Sequence, residues 1–329
     1  MTYRIFGAEV SPYSVKVRSY FRYKGLPHEW IVRTPAVQDE YQKYAKLPLI
    51  PLVVTPEDEG IQDSTPILER VEALHPQPSI HPEDPVLAFL SALLEEFGDE
   101  WGNKWMFHYR WWREVDQVAT ARRLAEVMAP AGAPEEARAR VAEGIQARMK
   151  DRLWFVGSSE ATKAQIEASF QAAMDLIEAH LASRPYLFGG RPAFADFGLW
   201  GQIYNASTDP TCGALLQRHA AIAGWIERMH DPRAEGEFET WASLDATLRP
   251  LLEDQVGALF LPWSAANLAA IESGAETFEV ALAGRRWEQK PQKYHARSLA
   301  ALRQRYALVE DRSRLDPILE STGCLDWLS

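Results

Sequence analysis

The segment Leu49-Ile50-Pro51-Leu52-Val53-Val54 reads as a short buried strand, and Gly60-Ile61-Gln62-Asp63 reads as its partner across the acidic turn Glu57-Asp58-Glu59. A proline inside such a run confines it to a sheet edge or marks a special backbone feature such as a cis bond. Strands this close in sequence pair as an antiparallel hairpin. Upstream, residues 3–7 are β-prone, and Ser11-Pro12 opens a helix with Pro12 at its first position. Val15, Ser19 and Arg22, beside Val17, Tyr20 and Phe21, share one amphipathic pattern that stops at Gly25, with Pro27 just beyond. Residues 29–32 supply a second strand. Downstream, Asp63 or Ser64 caps a helix reaching Leu74. A β-α-β unit followed by β-β-α in about 75 residues is a small mixed sheet, parallel at the crossover and antiparallel at the hairpin.

Residues 75–85 contain four prolines and read as a linker. Strand signals then fade, and helical patterns cover 86–112, 115–128, 135–154, 162–182, 195–204 and 214–229. In the fourth, Ile166, Phe170, Ala173, Ile177 and Leu181 recur at helical spacing, which buries one face. The predicted fold class is α+β. A sheet domain spans residues 1–76, a linker 77–85, an all-helical bundle 86–230 and a C-terminal extension 231–329 packed on the bundle.

The 329 residues allow about two domains of ~150. With 47% of residues hydrophobic and 25% charged, collagen-like and disordered classes are excluded. The net charge of −11 argues against a nucleic-acid partner, which demands basic side chains to meet phosphates. Cys212 and Cys324 are the two cysteines; they form no CxxC pair, no metal-ligand spacing and no disulfide framework. No run approaches the ~18 apolar residues of a membrane span, and the first ten residues lack a basic region followed by an apolar one. The expectation is a cytoplasmic chain with no membrane, nucleic-acid or metal partner. P-loop, GxGxxG, HExxH and GxSxG motifs are missing.

Four local motifs, taken in order, resemble the glutathione transferase family. Ser11-Pro12-Tyr13-Ser14 with Lys16-Val17-Arg18 is similar to the strand-to-helix turn of a thioredoxin-like domain, with serine where redox relatives carry cysteine. Leu49-Ile50-Pro51-Leu52 is similar to the family's cis-proline loop. Gln62-Asp63-Ser64-Thr65-Pro66-Ile67 resembles the acidic-Ser pair at the γ-glutamyl end of glutathione, and Gly190 with Phe194-Ala195-Asp196-Phe197 resembles the start of the central bundle helix. Together they cover roughly residues 3–230. The resemblance implies glutathione as co-substrate, a homodimer, and a thioredoxin-like domain followed by a helical bundle.

The chemistry fits those residue types. A thiol of pKa ~8.5 is mostly protonated at neutral pH, and lowering it by ~2 units means stabilising the thiolate by ~2.7 kcal/mol. The N-terminus of a helix offers unpaired N–H groups and a positive dipole end, to which a serine hydroxyl adds a donor. Ser11 matches the family's catalytic position, with Tyr13 and Ser14 as rivals for the thiolate. Ile50, ahead of Pro51, would pair its backbone with the extended tripeptide. Asp63 and Ser64 would take the γ-glutamyl ammonium and carboxylate, with the following helix favouring the carboxylate. Arg33, Lys43 and Lys46 are alternatives for the glycyl carboxylate. Serine at residue 11 disfavours thiol-disulfide exchange, since it forms no mixed disulfide. The rival readings are a non-catalytic or regulatory glutathione-binding protein and a glutathione-dependent lyase or dehalogenase.

Two stretches depart from the pattern. Relatives carry Ser or Thr three residues before the helix aspartate, whereas this chain has Ala193, and a lost cap costs ~1 kcal/mol. The run from Phe97 to Trp112 is rich in tryptophan; Trp101, Trp105, His108 and Trp112 share a helix face. With Tyr13, residues Trp101, Trp105 and His108 are candidates for a pocket that takes an aromatic or hydrophobic electrophile. The same side chains equally suit a core between this helix and the C-terminal segment, with His108 as a satisfied buried histidine. In the extension, Leu299, Leu302 and Tyr306 mark an amphipathic helix, and Arg285-Arg286 with Trp287 suggest a turn or hairpin.

Overall fold

The computed structural model describes residues 2–130 and 132–329. Strand β1 (Tyr3–Gly7) is apolar enough to be buried at all but one position inside the sheet. It pairs in parallel with β2 (His28–Val32) and antiparallel with β3 (Leu52–Val54), which in turn pairs antiparallel with β4 (Gly60–Gln62). The strand order is β2-β1-β3-β4. Helix α1 (Pro12–Tyr23) makes the crossover, and α3 (Ser64–Leu74) follows the hairpin. Between β2 and β3 lies α2 (Gln38–Tyr44), a segment whose sequence shows no helical period because Tyr41 alone is buried. That ring packs edge-on to Phe6 at 5.9 Å, and the tertiary contact carries the helix.

The bundle begins at α4 (Pro85–Phe97), capped by the Asp84 carboxylate, which accepts from the Val86 N–H at 2.9 Å. Through one π-helical stretch, Gly98–Gly102, it continues into α5 (Asn103–Trp112). Then come α6 (Glu114–Met128), α7 (Glu135–Lys150), a 3₁₀ turn Leu153–Val156, α8 (Lys163–Leu181), α9 (Phe194–Ser207), α10 (Pro210–Leu216) and α11 (Ala220–His230). Helix α9 is the central element, buried along almost its whole length. Glycine lets α4 approach it closely: a methyl group on Gly98 would lie 2.7 Å from the Leu199 nitrogen, and one on Gly198 would lie 2.8 Å from the Glu95 carbonyl oxygen. The Asp196 carboxylate accepts from the N–H groups of Ala193 and Leu187 and from the Trp225 indole, each at 2.9 Å. The aspartate half of the helix cap therefore persists without a hydroxyl at residue 193.

The rest of the chain folds as α12 (Trp241–Leu251), a π-helical stretch Leu252–Phe260, α13 (Leu261–Ser273), the hairpin β5 (Phe278–Leu282) and β6 (Arg285–Gln289), α14 (Ala296–Ala307), α15 (Asp316–Ser321) and α16 (Leu325–Leu328). One continuous apolar core joins Tyr3 and Val15 of the sheet region to Leu299, Cys324 and Leu328. The fold is α+β: a small thioredoxin-like mixed sheet followed by helices.

Three of the predicted pocket residues need correction here. Trp101, Trp105 and His108 are each at least 98% buried. Both indole N–H groups donate to Ser169 Oγ, at 2.9 and 3.0 Å. Trp101 packs against Trp263 and Trp287, and Trp105 against Phe97 and Phe170. His108 sits between Ser158 Oγ at 2.7 Å and Glu167 Oε1 at 3.1 Å, and burial lowers its pKa. The extension covers this helix face, so the three side chains fill a core and do not line an open pocket.

Candidate functional site

Sheet register gathers the remaining predicted residues at one end. Phe6 is opposite Leu52, and Leu52 is opposite Gln62. The end of β1, the Ile50-Pro51 bond ahead of β3 and Asp63 after β4 therefore leave the sheet on the same side. The Ile50-Pro51 peptide is cis. From that end the chain enters α1 through Ser11 and α3 through Asp63 and Ser64, so two helix N-termini start there.

Ser11 is extended and half-buried, and its Oγ accepts from the Ser14 N–H at 3.3 Å. Because the oxygen is the acceptor, the hydroxyl hydrogen is free to donate. The turn ahead of Ser11 is held from the bundle. Arg110 Nη1 donates to the Val10 carbonyl at 2.8 Å while its Nε donates to Asp209 Oδ2 at 2.7 Å. Ser14 is fully buried, and a methyl group on Gly7 would lie 2.9 Å from its Cβ, so it faces the sheet. Tyr13 is half-buried and donates to the Asp99 carbonyl oxygen at 2.9 Å. Burial, and then the nearby Asp99 charge, push the Tyr13 phenol well above its ordinary pKa and keep it neutral.

Asp63 is exposed with φ +78°, a region that L side chains seldom adopt, and its carboxylate makes no capping bond to α3. Instead Oδ2 accepts from the Tyr294 hydroxyl at 2.7 Å. Ser64 is buried and turns inward toward Lys16 Nζ at 3.4 Å and Asp99 Oδ2 at 3.3 Å. Lys16 is the centre of a buried polar cluster. Its ammonium reaches Thr65 Oγ1 at 3.1 Å, Asp99 Oδ2 at 2.6 Å and Glu95 Oε1, and Thr65 Oγ1 donates to Glu95 Oε1 at 2.6 Å. Burial works to lower the Lys16 pKa, but Asp99 and Glu95 together outweigh it and raise it. One cation faces more acids than it can balance. Burial, with Glu95 adding repulsion, pushes Asp99 up to about 7, and burial with Glu95 pushes Glu96 up to about 8. The cluster ties α1, α3 and α4 together directly behind Ser64.

Lys16, Thr65, Glu95, Asp99 and Tyr294 were not predicted as site residues. The signal for the acids was present: Glu95 and Asp99 stand one turn apart beside an otherwise apolar helix, where a charge needs a partner. Tyr294 carries no such signal. Among the glycyl-carboxylate alternatives, Arg33 lies over the Tyr41 ring at 4.2 Å, while Lys43 and Lys46 are exposed.

Two family models match the chain: the glutathione S-transferase N-terminal domain over residues 5–79 and the glutathione S-transferase C-terminal domain over residues 136–228. The chain belongs to the glutathione S-transferase family. Similar solved structures include a glutathione S-transferase from Methylobacterium radiotolerans in complex with glutathione sulfonate, 20% identical over 73% of this chain and 97% of that one, TM-score 0.43. Another is the beta-etherase LigF from a Sphingobium strain, 17% identical over 70% of this chain and 95% of that one, TM-score 0.48. A third is FzlA from C. crescentus, 20% identical over 70% and 88%, TM-score 0.43. No curated protein matches the sequence. Among the described residues no helix is long and apolar enough to cross a membrane.

Proposed function

We propose that this chain is a serine-type glutathione transferase that activates the glutathione thiol and transfers it to a hydrophobic or aromatic electrophile. The observation that carries the reading is Ser11: a hydroxyl at the first turn of α1 that accepts from the Ser14 N–H and keeps its own hydrogen to donate. In this reading glutathione lies extended along Ile50 and pairs with its backbone, which amounts to adding a strand. Asp63 meets the γ-glutamyl ammonium. The free N–H groups at the start of α3 meet the carboxylate. The role predicted for the Ser64 hydroxyl is corrected: it is buried and turned inward to Lys16 and Asp99. Lys16 fixes Ser64 and Thr65 from behind and carries the positive charge of the cluster.

The thiol proton passes to solvent, and the sulfur lone pair is held by the Ser11 O–H and the start of α1. The thiolate then attacks an electrophilic carbon, forming a C–S bond while the leaving group departs with its electron pair. Tyr13 stays a neutral phenol bonded to the Asp99 carbonyl, so it shapes the acceptor side and does not supply the thiolate donor. The domain division near residues 77–85 belongs to the same reading, as does action in the cytoplasm. A homodimer would have to form away from the side of α4 that α14 covers.

The test is ultraviolet thiolate absorbance of bound glutathione as a function of pH, with turnover of an aryl-halide panel. Wild type is expected to show a bound-thiol pKa about 1–2 units below the free value. Ser11→Ala is expected to return it toward ~8.5 and to cut turnover about 10²- to 10³-fold. A Ser11→Ala protein with unchanged thiolate absorbance would remove the assignment. Glutathione binding with no thiolate signal in wild type would select the non-catalytic reading.

A further inference from the structure

The loop that joins β6 to α14 passes over the start of α3 and is fixed on both sides. Gln292 and Asn267, both buried, exchange two hydrogen bonds: the Gln292 N–H donates to Asn267 Oδ1 at 2.7 Å, and Asn267 Nδ2 donates to the Gln292 carbonyl at 3.0 Å. His295 is buried beside Trp263, 5.2 Å between ring centres, and contacts Glu100. Ser298 Oγ donates to Glu96 Oε2 at 2.5 Å. Tyr294 stands between these anchors. It is itself 45% exposed, and its hydroxyl reaches Asp63 Oδ2 at 2.7 Å.

We infer that Tyr294 is a positioning residue of the γ-glutamyl subsite: the C-terminal extension completes the ligand site by orienting the Asp63 carboxylate toward the α-ammonium group of a γ-glutamyl peptide. This rests on the glutathione reading. A carboxylate accepts at about four lone-pair positions, and Tyr294 occupies one, on Oδ2. The other oxygen remains for an ammonium group. Burial and the neighbouring Asp63 raise the Tyr294 pKa, so it stays a protonated donor and does not become a phenolate that would repel the Asp63 carboxylate. Asp63 is otherwise an exposed side chain free to rotate. Holding it in one orientation before the ligand arrives removes an ordering cost from binding. The anchors at Gln292, His295 and Ser298 make the loop a fixed wall, in contrast to a strap that glutathione would have to displace.

The experiment is calorimetric titration of the full chain and of Tyr294→Phe with two ligands: glutathione, and glutaryl-cysteinylglycine, which lacks only the α-amino group. Tyr294→Phe is expected to weaken glutathione about five- to tenfold, to leave the affinity for the deamino ligand unchanged, and to leave the bound-thiol pKa unchanged. Asp63→Asn is expected to weaken glutathione further and to abolish the effect of adding Tyr294→Phe. Equal weakening of both ligands would assign Tyr294 a structural role and overturn the inference. Tighter glutathione binding by Tyr294→Phe would overturn it in the opposite sense, making the tyrosine a barrier. If wild type binds glutathione and Tyr294→Phe binds it equally well, this inference fails alone; if wild type binds neither ligand, the glutathione reading fails with it.

Discussion

Two lysines are buried against the same long helical stretch of α4 and α5, and their surroundings differ completely. Lys16, from α1, faces Glu95, Asp99 and two hydroxyls. Lys104, on α5 itself, has Nζ 3.6 Å from the centre of the Trp263 ring, with Trp101 and Trp287 nearby. Its polar contacts are the Val156 carbonyl at 3.1 Å and Gln289 Oε1 at 3.4 Å. Carboxylates hold Lys16 charged, whereas burial alone drives the Lys104 pKa well below its ordinary value. One amine organises charge behind the candidate site. The other is a polar stitch that fastens the extension to the bundle.

The sharpest way to break this contrast is to remove each amine in turn. Lys16→Met leaves buried carboxylates without a cation and is expected to cost about 3–5 kcal/mol in urea denaturation at pH 8. That cost is expected to shrink toward pH 6, because protonating Asp99 and Glu96 removes the uncompensated charge. Lys104→Met keeps the volume and loses weak polar contacts, so about 1–2 kcal/mol is expected. Equal costs for the two variants would show that the two environments are energetically alike.

A smaller effect lies in the pH dependence of stability. Asp99, Asp196 and Glu96 have folded-state pKa values raised to about 7, 7 and 8, chiefly by burial. The folded state therefore binds more protons than the unfolded one, and the stability they contribute is lost as pH rises through those values. His180 and His295, lowered to about 4 by burial, act in the opposite sense below ~6.5. Lys104, with its lowered pKa, also gains stability as pH rises. Between about pH 6.5 and 7 the three carboxyls, still partly protonated in the folded state alone, outweigh the one amine, so the melting temperature is expected to fall with pH there. The fall should be steeper in Lys104→Met and shallower in Glu96→Gln.

What the sequence made legible follows from the range of each signal. Pro51, the Asp63-Ser64 pair and the Ser11-Pro12 turn are local patterns with local causes, and they placed the sheet and two helix starts. Register then carried them to one end of the sheet without further information. Trp101, Trp105 and His108 were ambiguous because spacing on a helix says which face is shared and not what covers it; the cover comes from Trp263 and Trp287, more than 150 positions later in the chain. Helix α2 lacked a period because its burial depends on one tyrosine. Tyr294 was invisible, since its partner Asp63 lies in a different part of the fold and no motif links them.

The contact between Asp63 and Tyr294 spans 231 positions. A ribosome adding about 5–20 residues per second needs roughly 10 to 50 s to travel that distance. The sheet and its two helix starts therefore emerge long before the tyrosine that steadies Asp63 has been made. The nascent chain passes through a period in which the ligand end of the sheet is present but its wall is missing, and ligand recognition in the form proposed here begins only once the extension has docked.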